Sequence, residues 1–397
     1  MIRNGQIYIL IITCYNQAIK NNGGIPQMKK TVQGPKLRIG LIGTGGIARK
    51  HIQAYLNQPD VEIAAACDVL PGRAEAFLQE YGVSAPAFES ESAMLQAVSL
   101  DAVSVCSHNR THCECTVEAL SCGVHVLLEK PMAVTLEDAV KICRAEKASG
   151  KMVCVGFQPR MDDNMRKIKE IVQSGELGHV YYIQTGGGRR HGIPAWKSEG
   201  YIRADEAGVG AAGDIGCYAL DMVLNAIGYP RPLTVSGCTT DYFGKDPATY
   251  ANIGKPEYAK SFSVDDFASA YIRLEGGVIL DFRISWHMHM DTAGDTLLLG
   301  TKGGLRIPST ECWNATFDKP MTLYRDVDGK PVEISVPLLP PADDLWDRKI
   351  RSFLDAILTG GPSPVPSGEI LYNQAIIDGI LRSSREGREV NIELPDI

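Results

Sequence analysis

Short apolar runs alternate with amphipathic stretches over the first part of the chain. The amphipathic stretches have the spacing of helices and lie at 46–57, 72–81, 111–122 and 135–149. The runs between them are LRIGLI, VEIAAAC, DAVSVCS, VHVLLEK and KMVCVGF. Continuous apolar strands separated by helices are typical of a parallel sheet that is covered on both faces. The pattern therefore predicts an α/β domain with a doubly wound parallel sheet over residues 37–158.

The pattern changes after Gln158, where longer strands alternate apolar and polar residues and are separated by tight-turn glycines. One predicted hairpin spans 267–286 and turns at 275–277, and a second spans 321–336 and turns at 328–329. Helical stretches are predicted at 163–173, 214–227, 344–358 and 368–386. Residues 159–397 are therefore predicted to form an α+β domain on a large, mostly antiparallel open sheet, with C-terminal helices that pack back on the first domain.

Length and composition narrow the classes of function. A chain of 397 residues exceeds what one core usually supports, and a net charge of −7 without a basic block argues against nucleic acid or anionic membrane as the main partner. Eleven cysteines are scattered singly, many within apolar runs, which predicts a reducing, cytoplasmic location. No zinc-like cluster is visible, so no metal is expected, and His287 and His289 are interpreted as pocket or sheet-surface residues.

The residues before the first strand are interpreted as an extension that is not part of the fold. Met28 opens MKKTVQGPKLRIGLIG, which has the form of a complete cytoplasmic start, so residues 1–27 are expected to be an upstream addition. The apolar run IYILII at 7–12 is too short to span a bilayer. The extension is assigned to residues 1–36.

The first strand runs directly into GTGGIA, residues 43–48, which has the form G-x-G-x-x-A between a strand and a helix. In this form Gly43 permits a tight turn, Gly45 lets the backbone approach a pyrophosphate, and Ala48 allows close packing of helix and strand. Gly46 and Ile47 lie at the start of the helix. The motif and its context predict a Rossmann dinucleotide-binding domain.

Asp68 closes the second strand, 25 residues after Gly43. A carboxylate at this place accepts hydrogen bonds from an adenosine ribose and repels a 2′-phosphate, which favours NAD over NADP as the cofactor. Arg73 lies close enough in sequence to keep NADP open. The alternative interpretation is that Asp68 caps the helix that follows it.

The stretch HVLLEKPMAV, residues 125–134, ends a buried strand with Glu129, Lys130 and Pro131. Ligands bind at the carboxyl ends of the strands in open α/β sheets, so Lys130 is predicted to face the cofactor cleft. Pro131 holds the Lys130 backbone in a fixed turn and permits a cis peptide bond. The alternative is a Glu–Lys pair that solvates the strand end.

A glycine-rich segment, GAAGDIGCYALDMVLNAIG at 210–228, leads into a predicted helix that carries Asp214 and Tyr218. Residues four apart share one helix face, so the two side chains are expected to lie together at the first turn. The alternative is a helix-capping Asp with a core Tyr. Two ionisable groups and a separately placed Lys130 favour a functional site.

Together, GTGGIA, CSHNRTH followed by GVHVLLEKP, GFQPR and GDIGCYALD resemble the glucose-fructose oxidoreductase, inositol dehydrogenase and rhizopine-catabolism family, often written Gfo/Idh/MocA. The resemblance covers nearly the whole chain from about residue 37. It implies an N-terminal Rossmann domain, a C-terminal domain whose open sheet serves oligomer contacts, and oxidation or reduction of sugars, inositols and related polyols with NAD or NADP. A homodimer or homotetramer is therefore expected.

The resemblance also implies residue roles. The family's catalytic lysine and aspartate fall on Lys130 and Asp214, and Tyr218 stands where most members have histidine. The implied cofactor contacts further along the chain are Ser107, Asn109, His112, Glu129, Lys130 and Gln158, with Arg160 as an additional candidate. The loop at 186–196 offers donors and a flat ring for a sugar, namely Arg189, Arg190, His191 and Trp196.

Oxidation of a secondary alcohol requires hydride transfer to the nicotinamide and removal of the hydroxyl proton. A free Tyr has a pKa of about 10, and a nearby ammonium favours the phenolate, so Lys130 is predicted to lower the pKa of Tyr218. Tyr218 is then the proton acceptor and donor, and Asp214 orients Lys130 or binds a substrate hydroxyl. Two alternatives remain: an NAD-dependent glycosidase that oxidises the sugar transiently, and a nonenzymatic nicotinamide-binding regulator.

Overall fold

The predicted parallel strands lie side by side in a six-stranded sheet with the order β3-β2-β1-β4-β5-β6. The computed structural model describes residues 36–291, 293–308 and 311–396. The strands of this sheet are β1 (Leu37–Ile42), β2 (Val61–Cys67), β3 (Ala87–Phe88), β4 (Ala102–Val105), β5 (His125–Leu128) and β6 (Val153–Val155). Every residue of β4 and β6 is buried, as expected for strands covered on both faces. The order is that of a dinucleotide-binding Rossmann sheet.

Helices cover this sheet at the positions that the pattern predicts, and one helix was not predicted. They are α1 (Gly46–Leu56), α2 (Arg73–Glu80), α3 (Glu91–Ala97), α4 (His112–Ser121) and α5 (Leu136–Ser149). The Thr135 side chain caps α5 by accepting a hydrogen bond from the Asp138 backbone at 3.1 Å. The sequence did not predict β3 and α3, because β3 has only two residues and is not buried.

A nine-stranded sheet forms the second part of the fold, with the order β14-β13-β12-β11-β7-β10-β9-β8-β15. Its central pair, β7 and β10, is parallel and the other described pairs are antiparallel, which confirms the mostly antiparallel sheet. The strands are β7 (Val180–Gly188), β8 (Pro232–Thr240), β9 (Phe267–Leu274), β10 (Val278–Ser285), β11 (Thr296–Gly300), β12 (Gly303–Ile307), β13 (Met321–Val327), β14 (Lys330–Val336) and β15 (Val390–Asn391).

Both predicted hairpins are confirmed. Between β9 and β10 the turn is Glu275–Gly277, and between β13 and β14 it consists of Asp328 and Gly329, both with positive φ. Positive φ at both central residues matches the right-handed twist of the flanking strands.

The second part also contains helices α6 (Asp163–Gln173), α7 (Ala211–Asp214), α8 (Gly216–Ile227), α9 (Tyr258–Ser261), α10 (Leu345–Thr359) and α11 (Ser367–Glu386). Short 3-10 turns lie at Asn109–Thr111, Gln158–Met161, Pro194–Trp196, Glu199–Ile202, Pro247–Ile253 and Cys312–Asn314. The prediction of a single helix at 214–227 is wrong in one respect. The helix is interrupted at Ile215, which separates α7 from α8. Asp214 therefore ends one helix and Tyr218 lies in the next.

Helix α10 returns to the first sheet and packs on α1. Arg351 of α10 donates to the Asp60 carboxylate at 2.8 Å, just before β2 begins. From Lys36 onward the chain forms one compact unit, so the division at 158 and 159 stays a prediction. The predicted extension at 1–36 lies outside the described residues except for Lys36.

Candidate active site

The glycine loop after β1 leaves the start of α1 open. Gly43 has a φ of +84°, and a Cβ there would lie 2.9 Å from the Cys106 backbone, so only glycine fits. At Gly45, which precedes α1 without a side-chain cap, a Cβ would meet nothing closer than Arg73 Nη2 at 3.8 Å. The first N–H groups of α1 are thus available to an anion, and the loop fits a dinucleotide pyrophosphate. Gly46 is exposed at this end, and Ile47 packs partly against the core.

Asp68 is joined to this loop by hydrogen bonds. Its Oδ2 accepts from the Thr44 backbone N–H at 2.9 Å and from Thr44 Oγ1 at 2.8 Å. Burial raises the pKa of Asp68, but the hydrogen bonds from Thr44 and Leu70 outweigh it, so the pKa lies below its ordinary value. The residue at the N-cap of α2 is Gly72, so the alternative that Asp68 caps this helix is wrong. Arg73 Nε lies 3.7 Å from Asp68 Oδ2.

Lys130 and Asp214 form an ion pair, here called the cleft pair, at the carboxyl end of β5. Lys130 Nζ donates to Asp214 Oδ1 at 2.9 Å and to the Asp214 carbonyl at 3.1 Å. Trp286 Nε1 donates to the other carboxylate oxygen at 3.1 Å. The side chains of Lys130 and Asp214 are 18% and 24% exposed. The Lys130–Pro131 peptide bond is cis.

The cleft pair keeps both of its charges. Burial would lower the pKa of Lys130, but the Asp214 carboxylate outweighs it and holds the Lys130 pKa well above its ordinary value. Burial would raise the pKa of Asp214, but the Lys130 ammonium outweighs it and lowers that pKa. The pair is therefore ionised at neutral pH.

Glu129 points the other way and forms the interior pair with Lys349 of α10. The Glu129 carboxylate accepts from Lys349 Nζ at 2.7 Å and lies 2.8 Å from His51 Nε2. The side chains of Glu129 and Lys349 are 6% and 1% exposed, and that of His51 is 0% exposed, so the interior pair is closed to solvent. Burial works to raise the pKa of Glu129, but Lys349 and His51 outweigh it and lower that pKa. The alternative of a Glu129–Lys130 pair that solvates the strand end is wrong, because Glu129 pairs with Lys349 and Lys130 pairs with Asp214. The Glu129 side chain lies behind the cleft.

Tyr218 lies beside Lys130 but stays protonated. Lys130 Nζ is 5.0 Å from the centre of its ring, and the Tyr218 hydroxyl is 3.3 Å from the Gln158 amide. Burial raises the pKa of Tyr218 by more than Lys130 lowers it. The predicted lowering of this pKa is therefore wrong, because the ring is buried, packing against Phe157 and Trp313.

Three predicted cofactor contacts lie where the loops after β4 and β5 meet. Asn109 Nδ2 donates to the Ala207 carbonyl at 3.0 Å, and Ser107 is half-buried beside it. The His112 ring is buried, with Nδ1 2.7 Å from the Pro131 carbonyl and Nε2 3.3 Å from that of Ser107. The structure thus places His112 as a link between the two strand ends, not on the cleft surface.

Arg160 belongs to a separate buried network. It donates to both oxygens of the Asp221 carboxylate, from Nε at 3.0 Å and from Nη2 at 2.7 Å, and to Glu369 of α11 at 2.7 Å. Tyr229 donates to the same Asp221 carboxylate. These contacts occupy the guanidinium, so Arg160 joins α8 and α11 rather than reaching the cofactor.

The four predicted substrate residues of the loop at 186–196 do not converge. Arg189 lies 3.4 Å from Glu311 and over the Trp313 ring at 5.6 Å, and Arg190 is exposed. His191 and Trp196 instead line a separate cavity. Arg189 is near enough to the cleft pair for its charge to lower the pKa of Asp214, whereas His191 and Trp196 line the cavity, and the residue types alone did not reveal this division.

Sequence reasoning missed residues that hold the site from a distance. Asp265 accepts from the backbone N–H groups of Gly210 at 3.2 Å and Ala212 at 2.8 Å, and so fixes the turn before Asp214. Burial raises the pKa of Asp265 to about 6. Lys197 Nζ lies 5.4 Å from the Trp196 ring. No local spacing connects Asp265, Lys349 or Trp286 with the motifs, although Trp286 donates a hydrogen bond to Asp214.

Within the described ranges, no helix is long and apolar enough to cross a membrane. The same residues contain no group of three His, Cys, Asp or Glu side chains placed to hold a metal ion.

Comparisons with known proteins agree with this fold. Residues 37–157 match an oxidoreductase family with an NAD-binding Rossmann fold, and residues 165–306 match the GFO/IDH/MocA C-terminal domain. A D-glucoside 3-dehydrogenase of Escherichia coli is 29% identical over 382 residues, covering 92% of this chain and 100% of the relative. An inositol 2-dehydrogenase of Salmonella typhimurium is 31% identical over 366 residues, covering 90% of this chain and 97% of the relative.

A solved structure shares the fold. The crystal structure of an aldose-aldose oxidoreductase from Caulobacter crescentus, complexed with glycerol, has a TM-score of 0.70 and 22% identity. The likeness covers 90% of this chain and 99% of that chain. At this identity the match bears on the fold alone.

Proposed function

This chain belongs to the GFO/IDH/MocA family and is an NAD-binding oxidoreductase, and we propose that it transfers a hydride between NAD and a secondary hydroxyl or keto group of a sugar, inositol or glycoside. The cleft pair carries the proposal, because it places an ammonium and a carboxylate at the carboxyl end of β5, where ligands of such sheets bind. The glucoside and inositol dehydrogenases among the relatives support a polyhydroxylated substrate.

Bound NAD supplies the hydride acceptor. We assign Gly43, Gly45, Gly46 and Ile47 to its pyrophosphate, through the open start of α1. The ionised Asp68 is assigned to the adenosine ribose, with Arg73 beside it. Ser107, Asn109 and Gln158 are assigned to the nicotinamide side of the cleft.

Lys130 is assigned to the reacting oxygen of the substrate. When a hydroxyl carbon loses hydride, its oxygen gives up a proton, and an ammonium aimed at that oxygen stabilises the negative charge that develops. Asp214 keeps Lys130 charged and oriented, while Trp286 holds Asp214 from the other side. The pair is thus arranged before substrate binds.

Tyr218 is assigned to the proton transfer. Because its pKa is raised, it is neutral at physiological pH and suited to donate a proton to a carbonyl oxygen in the reduction. In the oxidation it must first ionise, so we expect that rate to rise with pH through the alkaline range. A Tyr218→Phe enzyme that is fully active, or that keeps the same pH profile, would refute this role.

The experiment follows reduced-nicotinamide absorbance after NAD is mixed with hexoses, inositols and glycosides. We expect turnover with one substrate class by the wild type and a kcat about 10²–10³-fold lower for Lys130→Met, although Lys130→Met still binds NAD. Lys141→Met is the matched control, since Lys141 is half-exposed on α5 and pairs only with Glu137 and Asp138 among the described residues. Full turnover by Lys130→Met contradicts the proposal. Glycoside cleavage without net nicotinamide reduction would instead support the glycosidase alternative.

We also propose a cytoplasmic homo-oligomer. The described cysteines are free, which suits a reducing compartment. The outward face of the second sheet is mixed, because Asp281 and Arg283 lie on it beside Tyr271 and Leu299. Exposed aromatic residues such as Tyr271 are enriched at subunit contacts, which supports the proposal. Light scattering during size-exclusion chromatography tests this, and a monomer at micromolar concentration would contradict it.

A further inference from the structure

A cavity of about 550 Å³ lies beside the loop that follows β7. We call it the histidine cavity, and its characteristic side chains are His191, Trp196, Phe243, His287 and His289. Its volume falls within the range of sites that bind small molecules, roughly 300–1,000 Å³. The roles in the proposed function do not use this cavity, although His191 and Trp196 are among the residues that the sequence predicts to contact a sugar.

His287 is the residue that points to a ligand. It is only 6% exposed, yet its ring makes no hydrogen bond within the part of the chain that the structure describes. The ring stacks on Phe243 at 4.4 Å and meets His191 edge-on at 4.7 Å. The ring nitrogens of His287 are not among the described fully buried polar atoms that lack a partner, so they face the open cavity, where they can bond to a hydroxyl of a ligand.

Two chain segments connect the histidine cavity with the cleft pair. Trp286, which donates to Asp214, is followed directly by His287. Trp196, on the cavity wall, is followed by Lys197, whose charge interacts with Asp214 and Lys130. Consecutive Cα atoms are about 3.8 Å apart, so the cavity and the catalytic centre are neighbours.

The lining suits a flat ring that carries hydroxyl groups. Trp196 is 68% exposed and presents its ring at the rim, while Phe243 provides an aromatic face inside. Neutral imidazole rings both donate and accept hydrogen bonds, as hydroxyl groups do. Burial, together with His191 and His289, lowers the pKa of His287, which keeps it neutral.

We infer that the histidine cavity binds the second ring of a glycoside whose first ring is oxidised at the cleft pair. The second ring is a hydroxylated six-membered ring, either a phenol or a pyranose. This inference rests on the proposed function and specifies its substrate class, because a free hexose or inositol has no second ring.

The first test compares kcat/KM for methyl glucoside, 4-hydroxyphenyl glucoside and cellobiose. We expect at least one two-ring substrate to exceed methyl glucoside by about tenfold, the size of one good aromatic contact. Preference for the aryl glucoside identifies a phenol, and preference for cellobiose identifies a pyranose. Equal values for all three substrates overturn the inference and leave the dehydrogenase proposal standing.

Phe243→Ala tests the cavity itself, with Phe243→Leu as a second variant that retains apolar volume if the first fails to fold. We expect loss of the two-ring preference by about tenfold through KM, because the stacking face is removed. Tyr242→Ala is the matched control, since Tyr242 is adjacent, 78% exposed and outside the cavity lining. An equal effect of the Phe243 variants on all three substrates overturns the inference.

A binding measurement separates the two proposals. Calorimetry with Lys130→Met and NAD detects 4-hydroxyphenyl glucoside or cellobiose without requiring turnover. If no sugar is oxidised but a two-ring compound binds more tightly than methyl glucoside, and Phe243→Leu removes the difference, the dehydrogenase proposal fails and the cavity assignment holds. No difference in affinity between one-ring and two-ring compounds overturns the cavity assignment.

Discussion

Glu129 and Lys130 follow one another at the end of β5, but their side chains lie in opposite surroundings. Glu129 enters the interior and pairs with Lys349 of α10, where the side chains are 6% and 1% exposed. Lys130 turns into the cleft and pairs with Asp214, where the exposure is 18% and 24%. The two ion pairs have similar distances, 2.7 and 2.9 Å, so geometry alone does not distinguish them.

Burial decides what each pair can do. The interior pair is enclosed by His51 and the Trp346 ring, which lies 4.0 Å from Lys349 Nζ, so no ligand reaches it. Its contribution is to join α10 to β5 and to α1, which carries His51. The cleft pair keeps solvent access, so its ammonium is available to a substrate oxygen. An ammonium–carboxylate pair thus stabilises the fold when it is closed to solvent and is available for the proposed chemistry when it is partly open.

Breaking the interior pair is expected to have the largest effect. Lys349→Met leaves Glu129 buried without its counter-charge, which costs about 3–5 kcal/mol of the free energy of unfolding. Urea denaturation measures this loss. The double variant Lys349→Met/Glu129→Gln removes both charges and should recover most of the stability. A single variant as stable as the wild type contradicts the role given to this pair.

Breaking the cleft pair is expected to affect turnover instead. Lys130→Met should lower kcat by about 10²–10³-fold, or roughly 3–4 kcal/mol, because the developing oxyanion loses its ammonium. The free energy of unfolding should fall by only about 1 kcal/mol, since Asp214 keeps Trp286 and water as partners. Steady-state kinetics and urea denaturation on the same sample test the contrast. If Lys130→Met lost as much stability as Lys349→Met, the proposed difference between the cleft pair and the interior pair would be contradicted.

Acid is expected to act on the interior pair through His51. Burial and Lys349 lower its pKa from 6.5 to about 4, so the unfolded chain binds the proton more tightly than the folded protein. Stability therefore rises with pH across this window, and acidification through it costs roughly 3 kcal/mol.

The test compares urea denaturation of the wild type and His51→Gln at several pH values. The stability of the variant should depend less on pH over the window from about 4 to 6.5. The pKa of Asp265 is raised to about 6, so this residue makes stability fall as pH rises. Because Asp265 is present in both proteins, its effect cancels in the comparison. Identical slopes would show that His51 does not titrate as proposed.

Exchanging lysine for arginine keeps both charges and gives the smallest expected effects. Lys349→Arg should cost about 1–2 kcal/mol of stability, because a larger planar head must fit a closed site. Lys130→Arg should lower kcat about tenfold with little loss of stability, because the cleft has room but the donor is displaced. Thermal unfolding and kinetics on the two variants measure these changes. If Lys349→Arg lowered kcat and Lys130→Arg lowered stability, the structural role of the interior pair and the catalytic role of the cleft pair would both be contradicted.

Much of the fold is encoded in local patterns. The alternation of apolar runs and helices predicts the first sheet, and the turns at Asp328-Gly329 and 275–277 predict the hairpins, because periodicity and turn chemistry act within a few residues. The two-residue strand β3 and helix α3 were missed, since no apolar run marks them. The positions of Gly43 and Lys130 also followed from their places at strand ends.

Local sequence patterns were sufficient to predict the Rossmann sheet, the glycine loop and the place of Lys130 at the end of β5. Only the tertiary structure decided that Glu129 pairs with Lys349, 220 residues away, that Arg160 is held by Asp221, and that Tyr218 has a raised pKa. The physical reason is that a partner and a degree of burial depend on how distant elements pack. Neither has a counterpart in the spacing of neighbouring residues, and the balance between burial and nearby charges or hydrogen bonds sets the sign of a pKa shift.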